Sequence, residues 1–300
     1  MDTPPPAERA DCTPSPLLGP AEIRELSAAL GLRPAKTLGQ NFVVDPNTVR
    51  RIVRTARIRP EDVVLEVGPG LGSLTLALVD AAARVLAVEV EPLLAAALPR
   101  TLARWRPGRA AAAEVIAADA TAAIAEVRAA QPTMLVSNLP YNVAVPIVLT
   151  AFEHYPSLRR GLVMVQAEVA DRMVAAPGGR VYGVPTVKLA WYARARFAGP
   201  VPAAVFWPRP RVESSLVAME RVAAPASIAG RQAVFAVVDA AFRQRRKTLR
   251  AALAPWAGSA GAAETILRRA GVDPALRGER LGLEQFVAIA DASEPPLAAR

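Results

Sequence analysis

The chain has 300 residues and a formal net charge of +9, from 36 Lys and Arg against 27 Asp and Glu. Its single cysteine, Cys12, and single histidine, His154, exclude an internal disulfide, a cysteine-rich zinc site and a histidine-based metal site or triad. The N-terminus lacks a secretory pattern, and the longest uncharged stretch, 129–152, holds three prolines and cannot span a membrane, so we expect a cytoplasmic protein without metal.

The positive surplus favours a polyanionic partner such as nucleic acid. An excess of arginine and alanine also follows from GC-rich coding, and charge alone leaves that alternative open.

The first two-thirds of the chain alternate between strand and helix patterns. Residues 1–20 are proline-rich and polar and predict a disordered tail. One helix is predicted from Pro20 and another through Val49 and Val53. Later apolar runs, separated by helical segments such as 71–79 and 93–102, predict a parallel sheet with helices on both faces. The predicted strands are 63–67, 85–89, 113–117, 133–137 and 161–166.

The last third departs from this alternation. The runs Val187–Phe197 and Val212–Met219 are too closely connected for a crossover helix, so they predict an antiparallel hairpin. The expected α/β fold is therefore a Rossmann-like class I methyltransferase with a seven-stranded, mostly parallel sheet. Segments 233–250, 262–270 and 283–290 are helical in pattern. The predicted domains are a tail at 1–20, a methyltransferase domain at 21–222 and a helical RNA-binding domain at 223–300.

A glycine loop follows the first predicted strand of the sheet. It reads Glu66-Val67-Gly68-Pro69-Gly70-Leu71-Gly72, and Ser73 stands where a dinucleotide-binding loop needs its third glycine. The G-x-G-x-G spacing is typical of S-adenosylmethionine sites, where the loop approaches the ligand at a helix N-terminus.

Acids follow the next two strands. Glu89 ends one strand and is placed to accept hydrogen bonds from both ribose hydroxyls of the cofactor. Asp119 follows the next strand and is placed to accept from the adenine amine. We expect both acids at the carboxyl edge of the sheet, beside Gly68 and Asn138.

The segment Asn138-Leu139-Pro140-Tyr141 follows a buried strand and is the most informative motif. The Asn138 side-chain carbonyl and the Leu139 backbone carbonyl would accept hydrogen bonds from the exocyclic amine of a nucleobase, and Tyr141 would stack on its ring. The motif holds no general base, which fits a reaction governed by alignment. An Asn-Pro turn at a strand end is also a common structural feature.

These motifs together resemble the rRNA adenine N6,N6-dimethyltransferases, specifically the small-subunit branch. The resemblance covers about residues 33–290. It implies methyl transfer from S-adenosyl-L-methionine to two adjacent adenosines near the 3′ end of 16S rRNA, within an immature 30S subunit, by a monomer. The motifs that carry it are Gly39-Gln40-Asn41-Phe42 with Asp45, Glu66 to Gly72, Glu89, Asp119, Asn138 to Tyr141, and Pro208, Pro210, Val212, Ser214 and Ser215.

The resemblance also assigns site residues. Val43 stands where the family usually has leucine. Phe206 matches an aromatic that packs the target base, although a core phenylalanine at a domain junction is an equal reading. The implied cofactor-site residues are Gln40, Asn41, Val43, Gly68, Gly70, Glu89, Asp119 and Asn138, and the implied catalytic residues are Asn138, Leu139, Pro140, Tyr141 and Phe206.

A basic segment from Phe242 to Arg250 predicts an RNA contact on a single helix. The usual alternative for such a charge run is a solvated surface. Apolar Phe242, Leu249 and Leu253 would anchor one side of the helix. The candidate RNA-binding residues are Arg243, Arg245, Arg246, Lys247 and Arg250.

Three other functions compete with this one. Antibiotic-resistance enzymes that methylate 23S rRNA usually carry Asn-Ile-Pro-Tyr, whereas this chain has Leu139. A DNA adenine methyltransferase needs a target-recognition domain, for which the last ~75 residues are few. A non-catalytic assembly or transcription factor would not need intact Asn138, Glu89 and Asp119.

Overall fold

The computed structural model describes residues 16–32, 41–140 and 143–293. Their strands are β1 (Phe42–Val43), β2 (Val63–Val67), β3 (Arg84–Glu89), β4 (Ala113–Ala117), β5 (Met134–Asn138), β6 (Arg160–Gln166), β7 (Ala193–Val201), β8 (Phe206–Trp207) and β9 (Ser214–Arg221). Seven form one sheet in the order β4-β3-β2-β5-β6-β9-β7. The strands from β4 to β6 are parallel, whereas β9 runs antiparallel to both β6 and β7. The predicted fold class is thus confirmed.

Helices cover both faces of this sheet. They are α1 (Pro20–Ala29), α2 (Pro46–Ala56), α3 (Thr75–Ala81), α4 (Pro92–Trp105), α5 (Ile124–Ala129), α6 (Ala144–His154), α7 (Ala167–Val174), α8 (Val184–Ala190), α9 (Gly230–Arg243), α10 (Leu249–Ala252), α11 (Ala254–Ala257), α12 (Ala260–Arg269) and α13 (Leu283–Ser293). Alternate strand residues enter opposite cores: Val64 packs with α1 to α4, and Leu65 packs with the later helices. Because side chains alternate along a strand, continuous apolar runs such as 63–65 are buried on both faces.

Two predicted elements are wrong. Val187–Phe197 is not one strand: α8 continues to Ala190, and β7 begins only at Ala193. The predicted helix through Arg250 is broken after Arg243, and the chain turns before α10 begins. A contact distant in sequence holds the start of α10, because the Leu249 amide donates to the Leu276 carbonyl at 2.7 Å.

The C-terminal helices pack on the sheet through a shared core. Val234 and Val237 of α9 belong to the same buried cluster as Trp191 and Val217. The Tyr182 hydroxyl also donates to the Leu281 carbonyl at 2.7 Å. A hydrophobic core therefore runs across the predicted boundary at residue 222, and the division into two domains stays a prediction.

β2 and β5 separate at their carboxyl ends. Their ladder pairs Val64 with Met134 and Leu65 with Leu135. Beyond it, the buried Ser137 hydroxyl accepts the Val67 amide at 2.8 Å in place of a backbone carbonyl. These are the strands at which the chain order reverses, and such sheets open a ligand crevice at that point.

Candidate active site

A cavity of about 450 Å³ lies at the carboxyl ends of β2, β3, β4 and β5. Its volume falls in the range of small-molecule sites. Among the described residues, it brings together the predicted positions Asn41, Val43, Gly68, Gly70, Glu89, Asp119, Asn138 and Pro140.

The glycine loop forms one wall and requires glycine at two cavity positions. Gly68 and Gly70 have φ values of +72° and +58°. These left-handed conformations are unfavourable for residues with a Cβ. A Cβ at Gly70 would also lie 2.9 Å from Cε1 of Phe42. At Gly68 and Gly70 the cavity is therefore lined by backbone alone.

Glu89 is held at the opposite side of the loop by two backbone amides. Its Oε2 accepts from Gly70 N and its Oε1 from Glu91 N, both at 3.0 Å. Burial raises the pKa of this carboxyl, while the two amides act in the opposite direction. Each oxygen keeps a further lone pair, so the fixed carboxylate has capacity for two hydroxyl donors.

Asp119 is the second acid of the cavity and is exposed. The Thr121 amide donates to its Oδ1 at 2.7 Å. Hydrogen bonds from the Thr121 side chain and backbone lower the pKa of Asp119. It is therefore an ionised acceptor at neutral pH. Val90, 59% exposed, also lines the cavity and adds apolar surface to it.

Asn138 is oriented by the segment before α2. Its Nδ2 donates to the Asn41 carbonyl at 3.1 Å. With the amide nitrogen so engaged, Oδ1 is left as the acceptor of this cavity-lining side chain. Leu139 is 1% exposed and does not line the cavity, so a ligand contact through its backbone carbonyl stays a prediction. The Leu139 amide donates to the Met164 carbonyl at 3.0 Å, which fixes the turn.

Among the described residues, Leu139 and Phe206 are the predicted cofactor-site or catalytic positions that do not line the cavity. Gln40 and Tyr141 lie outside the described residues. Phe206 is 3% exposed, pairs with Val43 through β8 and β1, and belongs to the core. In this structure Phe206 is therefore a core residue. Packing of its ring against a target base stays a prediction, which requires the ring to become accessible.

Glu66 is a cavity residue to which the sequence analysis gave no role. It is 1% exposed, and its Oε2 has no hydrogen-bond partner among the described residues. Burial raises the pKa of Glu66 to about 8; Thr75 opposes the shift, and the nearby Glu89 carboxyl adds to it. Its position as the one acid within the apolar strand 63–67 was the sequence signal that could have indicated a buried carboxyl. The cavity thus holds a neutral carboxyl at pH 7.

This burial predicts a pH-dependent stability. Below the ordinary pKa near 4.5, folded and unfolded chains both hold the proton on Glu66. Between there and about 8, only the unfolded chain loses it, so the free energy of unfolding decreases as pH rises. Glu66→Gln should therefore raise the melting temperature more at pH 8 than at pH 5, through a gain on the order of a few kcal/mol.

Thermal melts from pH 4 to 9 measure this difference, with exposed Glu61→Gln as the matched control. A stabilisation that is the same at pH 5 and pH 8 would contradict a buried, protonated Glu66.

The predicted basic segment lies on the turn between α9 and α10. Arg245 pairs with Glu279 at 3.0 Å and donates to the Arg180 carbonyl, and Arg250 pairs with Glu264 at 2.8 Å. Arg243, Arg246 and Lys247 are exposed, and the described residues form no ion pair with them. Only these three of the five predicted cations are thus without a structural ion pair.

The described residues contain no group of three or more His, Cys, Asp or Glu that could hold a metal ion. Within the same ranges, no helix combines the length and apolar character needed to cross a membrane.

Comparison with known sequences identifies the family. A sequence model of the family described as ribosomal RNA adenine dimethylase matches residues 32–293. The chain belongs to the ribosomal RNA adenine dimethylase family. The resemblance inferred from the glycine loop, the strand-end acids and the Asn138 motif is thereby confirmed.

Relatives within this family align over nearly the whole chain. A protein of Kineococcus radiotolerans named ribosomal RNA small subunit methyltransferase A is 64% identical over 277 residues, covering 92% of this chain and 91% of that protein. A protein of the same name from Thermobifida fusca is 60% identical, covering 94% of this chain and 98% of that protein.

Solved structures share the fold. A dimethyladenosine transferase from Plasmodium falciparum matches with a TM-score of 0.68 at 21% identity, covering 82% of this chain and 94% of that chain. The 23S rRNA methyltransferase ErmE matches with a TM-score of 0.61 at 28% identity, covering 84% of this chain and 99% of that chain. Identity to the small-subunit relatives is thus about twice that to ErmE.

Proposed function

We propose that this member of the family uses S-adenosyl-L-methionine to dimethylate the N6 amines of two adjacent adenosines in the 3′-terminal hairpin loop of 16S rRNA. One observation carries the proposal: a single cavity holds the Asn138 amide together with Glu89, Asp119 and the glycine loop. Their backbone and acidic groups fit an adenosine bearing a charged amino-acid arm. When bound, the cofactor supplies an electrophilic methyl group on a sulfonium.

The protein's part in the reaction is alignment. The lone pair of an adenine amine is conjugated with its ring, which makes the nitrogen a weak nucleophile. Hydrogen bonds from the amine to Asn138 Oδ1 and the Leu139 carbonyl draw that nitrogen towards a tetrahedral shape. Holding reactants in line can lower a barrier by about 7–11 kcal/mol. For each methyl group, one N–C bond forms, one S–C bond breaks and the nitrogen releases one proton.

The base must be unstacked to enter the cavity, at a cost of a few kcal/mol. Stacking on Tyr141 would offset about 1–3 kcal/mol of it. Adenosines in a hairpin loop are already unpaired, which reduces the cost further. An immature 30S subunit in the cytoplasm is the proposed setting, because the loop must be accessible there.

The sequence comparison favours the small subunit over the large one. The 60–64% identical relatives carry the small-subunit name, whereas identity to the 23S enzyme ErmE is 28%. The test is methyl transfer from labelled cofactor to 30S and 50S particles that lack the modification, followed by mass mapping of the rRNA. The proposal predicts two adjacent dimethyladenosines in 16S rRNA. Label confined to 23S rRNA, or none in either, would contradict it.

The turn between α9 and α10 is the proposed RNA contact of the C-terminal helices, residues 223–293. Arg243, Arg246 and Lys247 are exposed there and form no ion pair with any residue that the structure describes. Arg245 and Arg250 instead pair with Glu279 and Glu264 and stabilise the helices.

Arg246→Gln with Lys247→Gln should therefore weaken RNA binding at low salt and reduce the slope of log K against log salt by about 1.4–1.8. Equilibrium binding to 30S particles between 50 and 200 mM KCl measures that slope. The matched control is Arg100→Gln with Arg128→Gln, two exposed arginines on α4 and α5. An equal change in both double variants would count against a specific contact.

A further inference from the structure

We propose that the protein has a second RNA-binding surface, a track of arginines that leads from the active-site cavity along α2 to a basic pocket at the opposite end of the sheet. The ligand is the phosphodiester backbone of RNA. The track consists of Arg50, Arg54, Arg57, Arg59, Arg160 and Arg196. This inference rests on the proposed function only in taking RNA as the polyanion.

The basic pocket has a volume of about 300 Å³ and lies at the amino ends of β5 and β6. Strand register places its side chains on one face: Leu162 pairs with Ala218, which pairs with Arg196. The short Ala218 side chain leaves open space between Arg160 and Arg196. Arg57 and Arg59, which follow α2, complete the rim.

Charge in this pocket is strongly positive. Four arginines line it, against one carboxylate, Glu220. Asp62 is already engaged, because Arg160 pairs with it at 2.7 Å and the Arg59 amide donates to it at 2.8 Å. Arg57, Arg59 and Arg196 are exposed, and no ion pair to them forms among the described residues. Three guanidinium groups are thus available to an external anion.

α2 connects this pocket to the active site. The helix begins at Pro46, just after Val43 of the active-site cavity, and ends at Ala56 in the basic pocket. Its 11 residues span about 16 Å. Arg50, Arg54 and Arg57 follow one another at spacings of four and three and so share one face. The segment 46–59 contains no acid.

The chemistry of the pocket favours an RNA backbone over a free nucleotide. Planar guanidinium groups match phosphate oxygens in bidentate geometry. None of the described residues that line the pocket is aromatic, so they offer no ring on which a single base could stack. A row of cations along 16 Å, in which Arg50 is half-buried and Arg54 and Arg57 are exposed, instead matches successive phosphates of one strand.

The experiment compares two triple variants of the full chain, each of which loses three exposed arginines that form no ion pair with the described residues. The test variant is Arg57→Gln, Arg59→Gln and Arg196→Gln; the control is Arg24→Gln, Arg100→Gln and Arg128→Gln. Binding to unmethylated 30S particles is measured from 50 to 200 mM KCl. We expect the salt slope to fall by about 2–3 in the test variant only. Affinity at 100 mM KCl should fall at least about tenfold relative to the control.

Lysine variants at the same three positions should retain the slope, because they keep the charge. Should the glutamine variant fail to fold by thermal melting, Arg196→Gln alone should lower the slope by about 0.7–0.9. An unchanged slope, or an equal fall in the control, would overturn the proposal.

A separate titration with AMP and with inorganic phosphate distinguishes a small-anion site. Stabilisation of the wild-type chain but not of the test variant, together with an unchanged RNA slope, would overturn the RNA assignment. Methyl transfer to 16S rRNA is followed in parallel. Its absence in the wild-type chain would defeat the proposed function, yet the slopes would still decide whether the arginine track binds RNA.

Discussion

Asn138→Ala is expected to reduce methyl transfer to rRNA at least about 100- to 1000-fold while the cofactor dissociation constant changes less than about tenfold. Losing one preorganised hydrogen-bonding group at a reacting centre has effects of that size. The substitution removes the acceptor Oδ1 that would align the target amine. The Leu139 carbonyl remains in place, because the Leu139 amide still donates a hydrogen bond to the Met164 carbonyl, but one acceptor cannot orient the lone pair alone.

Single-turnover methylation of 30S particles and calorimetric cofactor titration separate these two quantities. The matched control is Asn47→Ala, which removes the same group from an exposed position on α2. Because Asn138 also donates to the Asn41 carbonyl, thermal melts must show that the variant retains its fold. An Asn138→Ala enzyme with near wild-type turnover would refute the alignment role.

Glu89→Ala is expected to weaken cofactor binding about 100-fold or more. A hydrogen bond to a charged group contributes about 1.5–3 kcal/mol, and two ribose hydroxyls would lose their acceptor. The substitution also frees the Gly70 amide, which Glu89 Oε2 holds at 3.0 Å, so the glycine loop loses a support. Glu89→Gln retains one acceptor oxygen and should give an intermediate loss.

Calorimetric titration with the cofactor measures this loss. Glu91→Ala is the matched control, because it removes a like charge two residues away along the same cavity wall. A dissociation constant within threefold of wild type in Glu89→Ala, or an equal loss in both variants, would contradict direct contact by Glu89.

Much of the site was predictable because parallel strands end at one edge of a sheet. Glu89, Asp119 and Asn138 lie far apart in sequence, yet each lies at or just after the end of a strand that its apolar pattern predicts. These three residues meet in one cavity because their strands are neighbours in the sheet and the chain order reverses between β2 and β5. The ends of those strands can also be predicted from neighbouring residues, because each apolar run stops at turn residues or charged residues.

Features decided by distant contacts were not predictable. The start of α10 is held by hydrogen bonds from the Leu249 and Arg250 amides to the distant Leu276 and Pro274 carbonyls, and Thr248, its N-cap, was the one local signal of the break. The pattern predicts a strand where α8 lies, because a short apolar run fits the periodicity of a strand as well as that of a helix. Pro185 in the first turn of α8 is the local signal for a helix. The raised pKa of Glu66 and the burial of Phe206 depend on packing that only the folded chain defines.

A crystal structure with S-adenosylmethionine, or with a non-reactive analogue, tests the central claim most directly. The account predicts ribose hydroxyls on Glu89, the adenine amine near Asp119 and the methyl group directed at the space beside Asn138 Oδ1. A ligand bound outside this cavity, or one whose methyl group points away from Asn138, would contradict it.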